Sequence, residues 1–116
     1  MIRALNTLKI SEFKVPDKVN AGDEVQLICV YDLEGDALYT LKWYRDEKEF
    51  FRLEPKATPK IQFFNVAGIN VDEYNSNETS VILKNVNNLT SGTFSCEISA
   101  EVTFQTVDLE KVMIVN

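Results

Sequence analysis

Two cysteines, Cys29 and Cys96, stand 67 positions apart in a chain of 116 residues. That separation is wrong for a CxxC redox pair or a zinc ribbon and suits one long-range disulfide. Both cysteines sit in runs that alternate apolar and polar residues. Val25-Gln26-Leu27-Ile28-Cys29 places Val25, Leu27 and Cys29 on one face, and Phe94, Cys96 and Ile98 alternate in the same way. Leu41-Lys42-Trp43-Tyr44-Arg45 repeats the pattern, as do Val81 and Leu83. Turn residues separate these runs, at Ala21-Gly22-Asp23, Asn87-Asn88 and Ser91-Gly92. With no heptads, internal repeats or low-complexity linker, the chain reads as an all-β sandwich.

Trp43 follows Cys29 by 14 positions, and Ser91-Gly92-Thr93-Phe94-Ser95-Cys96 leads into the second cysteine. This is the spacing of an immunoglobulin-like β-sandwich, in which one cysteine from each sheet forms the bridge and the tryptophan packs on it in the gap between sheets. In the chain-entropy model, closing a loop of this length stabilises the fold by roughly 4 kcal/mol at most. The 66 residues between Cys29 and Cys96 exceed what a seven-strand form needs, so residues 1–116 are read as a single variable-type domain with extra C′ and C″ strands. A kink before Pro16 is expected to divide the first strand between two sheets. Residues 54–60, with Pro55 and Pro59, are expected as loop or edge, with short strands near 62–66 and 69–74. The last strand lies within 106–115, where the alternation is ambiguous. Two positions depart from the usual pattern: Phe94 replaces the corner tyrosine and Thr90 the acidic residue that would partner an inward Arg45.

Composition removes several functions. Twelve basic and 18 acidic residues give a formal net charge of −6, which repels nucleic acid and anionic lipid. Apolar runs such as Val112 to Val115 are far too short to span a bilayer. There is no histidine and both cysteines are committed, so nucleophile–histidine chemistry and histidine-ligated metals are excluded. Asp32, Glu34 and Asp36 alternate, but an EF-hand loop would need glycine at Ala37 and glutamate at Trp43, so these acids are expected on a solvated B to C loop. The reading is no enzyme, no cofactor and no metal. Residues Met1 to Asn6 contain no apolar stretch of signal-peptide length, which fits a cytosolic chain or one whose signal has been removed. The disulfide pattern and two sequons, Asn77-Glu78-Thr79 and Asn88-Leu89-Thr90, favour an extracellular chain, secreted or on the cell surface.

The run from Cys29 through Tyr31-Asp32-Leu33-Glu34-Gly35-Asp36 to Leu38-Tyr39, followed by Lys42-Trp43-Tyr44-Arg45 and Glu49-Phe50-Phe51-Arg52, resembles the first immunoglobulin domain of the beaten path family of insects. Phe64, Gly68, Val71-Asp72, Cys96-Glu97 and Phe104-Gln105-Thr106-Val107 continue the likeness. The resemblance implies a neuronal recognition protein whose first domain binds immunoglobulin domains of the Sidestep family in axon guidance and synaptic partner choice. Members normally carry a second immunoglobulin domain, so it also implies a binding domain excised from a longer protein.

In a variable-type domain the G, F, C and C′ strands share a sheet, and residues alternating with the core face outward. That assigns Lys42 and Tyr44 around Trp43, and Thr93, Ser95 and Glu97 around Phe94 and Cys96. Either Phe50 or Phe51 follows on C′. The resemblance implies Phe51, because that family has tyrosine there. Phe104 adds an aromatic anchor at the end of the sheet. The expected partner-binding set is therefore Lys42, Tyr44, Phe51, Ser95, Glu97 and Phe104. Glycosylation at Asn77, near the D to E turn, and at Asn88, in the E to F loop, would leave that face free. Two other functions fit the same fold: homophilic adhesion, giving a homodimer, and a structural spacer in a larger receptor or intracellular filament.

Overall fold

The computed structural model describes residues 8–116. Strands β1 (Lys9–Lys14), β3 (Val25–Asp32) and β7 (Ser80–Leu83) form a three-stranded sheet in the order β1-β3-β7. Strands β2 (Lys18–Val19), β4 (Leu38–Arg45), β5 (Lys48–Leu53), β6 (Ile61–Phe63), β8 (Gly92–Ala100) and β9 (Thr106–Val115) form the second, in the order β2-β9-β8-β4-β5-β6. Pro16 lies between β1 and β2, where the chain changes sheets, and β2 pairs parallel to β9. The order of the larger sheet, with β5 and β6 outside β4, is the variable-type arrangement.

The Cys29–Cys96 disulfide joins β3 to β8 with a Cα–Cα separation of 6.5 Å. Trp43 sits directly across from Cys96 on β4 and is buried, with its indole stacked on Phe13 at 5.8 Å. Around this centre Leu27, Leu41, Leu83, Phe94 and Ile98 are fully enclosed, as strand alternation requires. Phe94 cannot make the corner hydrogen bond of a tyrosine, and packing takes its place. Its ring meets Phe50 edge-on at 6.0 Å.

One expectation about orientation is overturned. Phe51 was assigned outward, but it is fully buried, opposite Trp43 and edge-on to Phe63 at 5.6 Å. The cause is a β-bulge: Trp43 pairs with Phe51 and the next residue, Tyr44, pairs with Glu49, so Phe50 is the extra residue on β5. A bulge lets consecutive side chains share a face, and both phenylalanines enter the core. The strand expected at 69–74 is reduced to a single bridge, Val71 to Leu83. There Asp72 folds the chain into a turn, accepting hydrogen bonds from the Asn75 backbone and side chain at 3.2 and 2.8 Å.

Arg45 is buried at the base of the sandwich, and Thr90 does replace the acid there. Its guanidinium donates to two backbone carbonyls, Leu89 at 2.5 Å and Ala67 at 2.7 Å. Its Nε lies 3.4 Å from the Asp46 carboxylate without hydrogen-bond geometry. Thr90 secures the same corner by donating its hydroxyl to Gly68 O at 2.6 Å and accepting from Asn87 N at 3.0 Å. Gly68 has φ +84, and a methyl group on it would come within 2.4 Å of Leu89 O, so only glycine fits.

Candidate protein-interaction face

The outer surface of β5, β4, β8 and β9 is built by register. Lys42 and Glu97 stand opposite one another on β4 and β8, and so do Tyr44 and Ser95. All four are partly exposed, and the alternation that buries Trp43 and Cys96 turns them outward together. On β9, Asp108 lies across from Glu97 and Glu110 across from Ser95, both exposed. Like charges directly opposed on one face destabilise a sheet, so Glu97 and Asp108 carry a cost in the free domain. Among the described residues neither they nor Glu110 forms a salt bridge.

Tyr44 lies at the middle of this patch and donates its hydroxyl to Glu97 Oε1 at 3.3 Å. Partial burial, reinforced by the negative charges of Glu97 and Glu49, pushes its phenol up to about 12. On β5 the Arg52 guanidinium is held by both oxygens of Glu49, at 2.7 and 2.8 Å, and lies 5.3 Å from the centroid of the Phe64 ring. The β4–β5 turn brings a further acid to the rim. Asp46 and Glu47 both have positive φ, at 50° and 67°, as a two-residue type I′ hairpin demands. Asp46 can hold that conformation because its carboxylate accepts from Thr93 N at 2.9 Å while its own N–H donates to Thr93 O at 2.9 Å.

The face thus gathers Lys42, Tyr44, Ser95 and Glu97, while Phe51 is withdrawn into the core and Phe104 stands at the end of the sheet. Phe104 is 83% exposed in the β8–β9 hairpin loop. The sequons lie elsewhere: Asn77 is exposed just before β7, and Asn88 is exposed in a 3-10 turn between β7 and β8. Asp108 and Glu110 are not singled out in the sequence, and Glu49, Arg52 and Phe64 enter there only as carriers of the resemblance, not as members of this face. The Asp108/Glu110 alternation was a usable signal, masked by apolar residues of both parities along β9.

The acidic B to C loop, between β3 and β4, faces solvent as expected, and its acids are tied to nearby backbone groups. Asp32 accepts from Glu34 N at 2.9 Å, and Asp36 is engaged by the β8–β9 loop. Its carboxylate accepts from Val102 N and Thr103 N, each at 3.0 Å, and from the Thr103 hydroxyl at 2.8 Å. These hydrogen bonds, that from Val102 first, hold its pKa down at about 2.

No family model matches this chain, and no curated protein matches it. Several solved structures do share its fold. Murine CEACAM1b superposes with a TM-score of 0.64 at 19% identity, over 95% of this chain and 54% of that one. A marsupial T cell receptor gives 0.67 at 17% identity, over 95% and 53% respectively. The chain therefore spans about half the length of these two neighbours. Dpr1 IG1, solved bound to DIP-eta IG1, gives 0.62 at 17% identity over 98% of this chain and 100% of that one. With the two-sheet order and the intersheet disulfide, these likenesses establish the chain as a variable-type immunoglobulin-like β-sandwich.

Proposed function

We propose that this domain is an extracellular recognition module that binds another immunoglobulin domain, one of the Sidestep family, through the outer face of β5, β4, β8 and β9. The observation that carries this reading is the face itself: an aromatic centre at Tyr44 flanked by Glu97, Asp108 and Glu110, three carboxylates without a cation partner among the described residues. Aromatic anchors ringed by charge are the usual anatomy of a protein interface. The acids ask for a cationic partner surface. They also disfavour self-pairing through this face, which would set the same carboxylates against each other. A neighbour of similar fold is an immunoglobulin domain solved in complex with another, which supports this mode of binding. Glycosylation at Asn77, just before β7, and at Asn88, in the turn between β7 and β8, would leave the face open.

The test is a binding screen of the domain against Sidestep-family and other immunoglobulin ectodomains, with Tyr44→Ala as the control surface variant. Selective binding that Tyr44→Ala weakens at least about tenfold, or about 1.4 kcal/mol, is expected. No binder among the Sidestep family would remove the partner assignment, and unchanged affinity in the variant would remove the face.

A further inference from the structure

The β8–β9 hairpin loop, residues 101–105, departs from what a solvated tip of five residues would do. Val102 is 73% exposed and Phe104 is 83% exposed, two apolar side chains in water within three positions. Phe104 also has φ 60°, a left-handed conformation that a bulky residue adopts only when its surroundings enforce it.

Those surroundings can be named. From below, Asp36 receives the two backbone N–H groups and the hydroxyl already described, 66 and 67 positions away in sequence. Glu101 N donates to Ala37 O at 2.8 Å, and Ala100 N donates to Gln105 O at 2.8 Å, closing the loop. The Gln105 side chain turns away from the tip and accepts from Leu8 N at 3.0 Å. Every polar group of the tip that these bonds reach is drawn towards the domain, and the two apolar side chains are left outside.

We infer that Asp36 is a positioning residue that fastens the β8–β9 loop to the β3–β4 loop, so that Val102 and Phe104 stand out as a preformed apolar anchor for a pocket in a partner protein. The inference rests on the proposed recognition function and adds the second contact zone and the residue that orders it. Holding the anchor in one conformation before contact lowers the ordering cost of binding. An anionic lipid surface is the wrong occupant: a chain of net charge −6 is repelled by it, and the residue beneath the anchor is a carboxylate. The tip also continues the face, since β8 and β9 carry both.

Two measurements test this on the whole chain. Amide exchange tests the fastening without any partner. Val102 and Thr103 N–H should exchange at least about tenfold faster in Asp36→Ala, with an intermediate effect in Asp36→Asn, which keeps one oxygen acceptor. An unchanged exchange rate in a folded Asp36→Ala overturns the fastening. The anchor is tested with any immunoglobulin ectodomain that binds in the screen above. Phe104→Ser and Asp36→Ala should each weaken binding by at least about tenfold, and less than additively together, since both remove the same ordered contact. A binder indifferent to Phe104→Ser overturns the anchor while leaving the recognition function standing; a screen without any binder overturns that function and the anchor's occupant together. Binding to phosphatidylcholine vesicles containing phosphatidylserine, lost in Phe104→Ser, would overturn the protein pocket in favour of lipid.

Discussion

At the residue scale, burial and hydrogen bonding set the roles of Arg45 and Tyr44, and the two differ in kind. Arg45 holds the base of the fold by donating to two carbonyls from distant loops, so replacing it removes two charge-assisted hydrogen bonds that tie those loops together. Arg45→Met is expected to lower unfolding free energy by about 2–4 kcal/mol, measured by urea denaturation. Tyr44 instead records the field of the candidate face. Its phenol should ionise at about 12 by ultraviolet titration, mainly through burial and then through Glu97 and Glu49. An unfolded tyrosine ionises near pH 10, so the unfolded chain gives up its proton first. The stability associated with Tyr44 is therefore complete below about pH 10 and lost as pH rises towards about 12. Glu97→Gln removes one negative neighbour and should lower the midpoint; an unmoved midpoint would mean that Glu97 does not act on Tyr44.

At the scale of elements, β5 is where the sequence and the structure part. Alternation on β3, β4 and β8 was legible because the disulfide and Trp43 fix which parity points inward. On β5 nothing in Lys48-Glu49-Phe50-Phe51-Arg52-Leu53 marks the bulge, which arises from how the strand meets β4. The two adjacent aromatics therefore looked like one inside and one outside. The partners of Asp36 and Arg45 were hidden for a related reason: they are mostly backbone groups brought close by folding, which residue types do not announce. Because Phe51 fills the core between Trp43 and Phe63, Phe51→Ala is expected to cost about 3–5 kcal/mol by thermal or chemical denaturation. That is a large share of what a domain of this size has to lose. A surface residue would cost a few tenths, and such a result would return Phe51 to the outer face.

At the scale of the whole molecule, the net charge of −6 is not spread evenly in effect, because Glu97, Asp108 and Glu110 share one sheet face. A field of this kind draws a cationic partner surface and speeds encounter, and added salt screens it over about 10 Å. Association with a cognate ectodomain should slow as salt is raised, and the double substitution Asp108→Asn with Glu110→Gln should flatten that dependence in surface plasmon resonance. The fold rests on the intersheet staple and the strand order; the proposed recognition function rests on which residues that staple turns outward. Glu97, opposite Lys42 and bonded to Tyr44, is the residue on which that claim turns. The most direct measurement is therefore the affinity of Glu97→Arg for a Sidestep-family ectodomain, beside a denaturation curve of the same protein. A loss of at least about tenfold without a lowered unfolding midpoint is predicted. Unchanged affinity in the folded variant would contradict the assignment of this face.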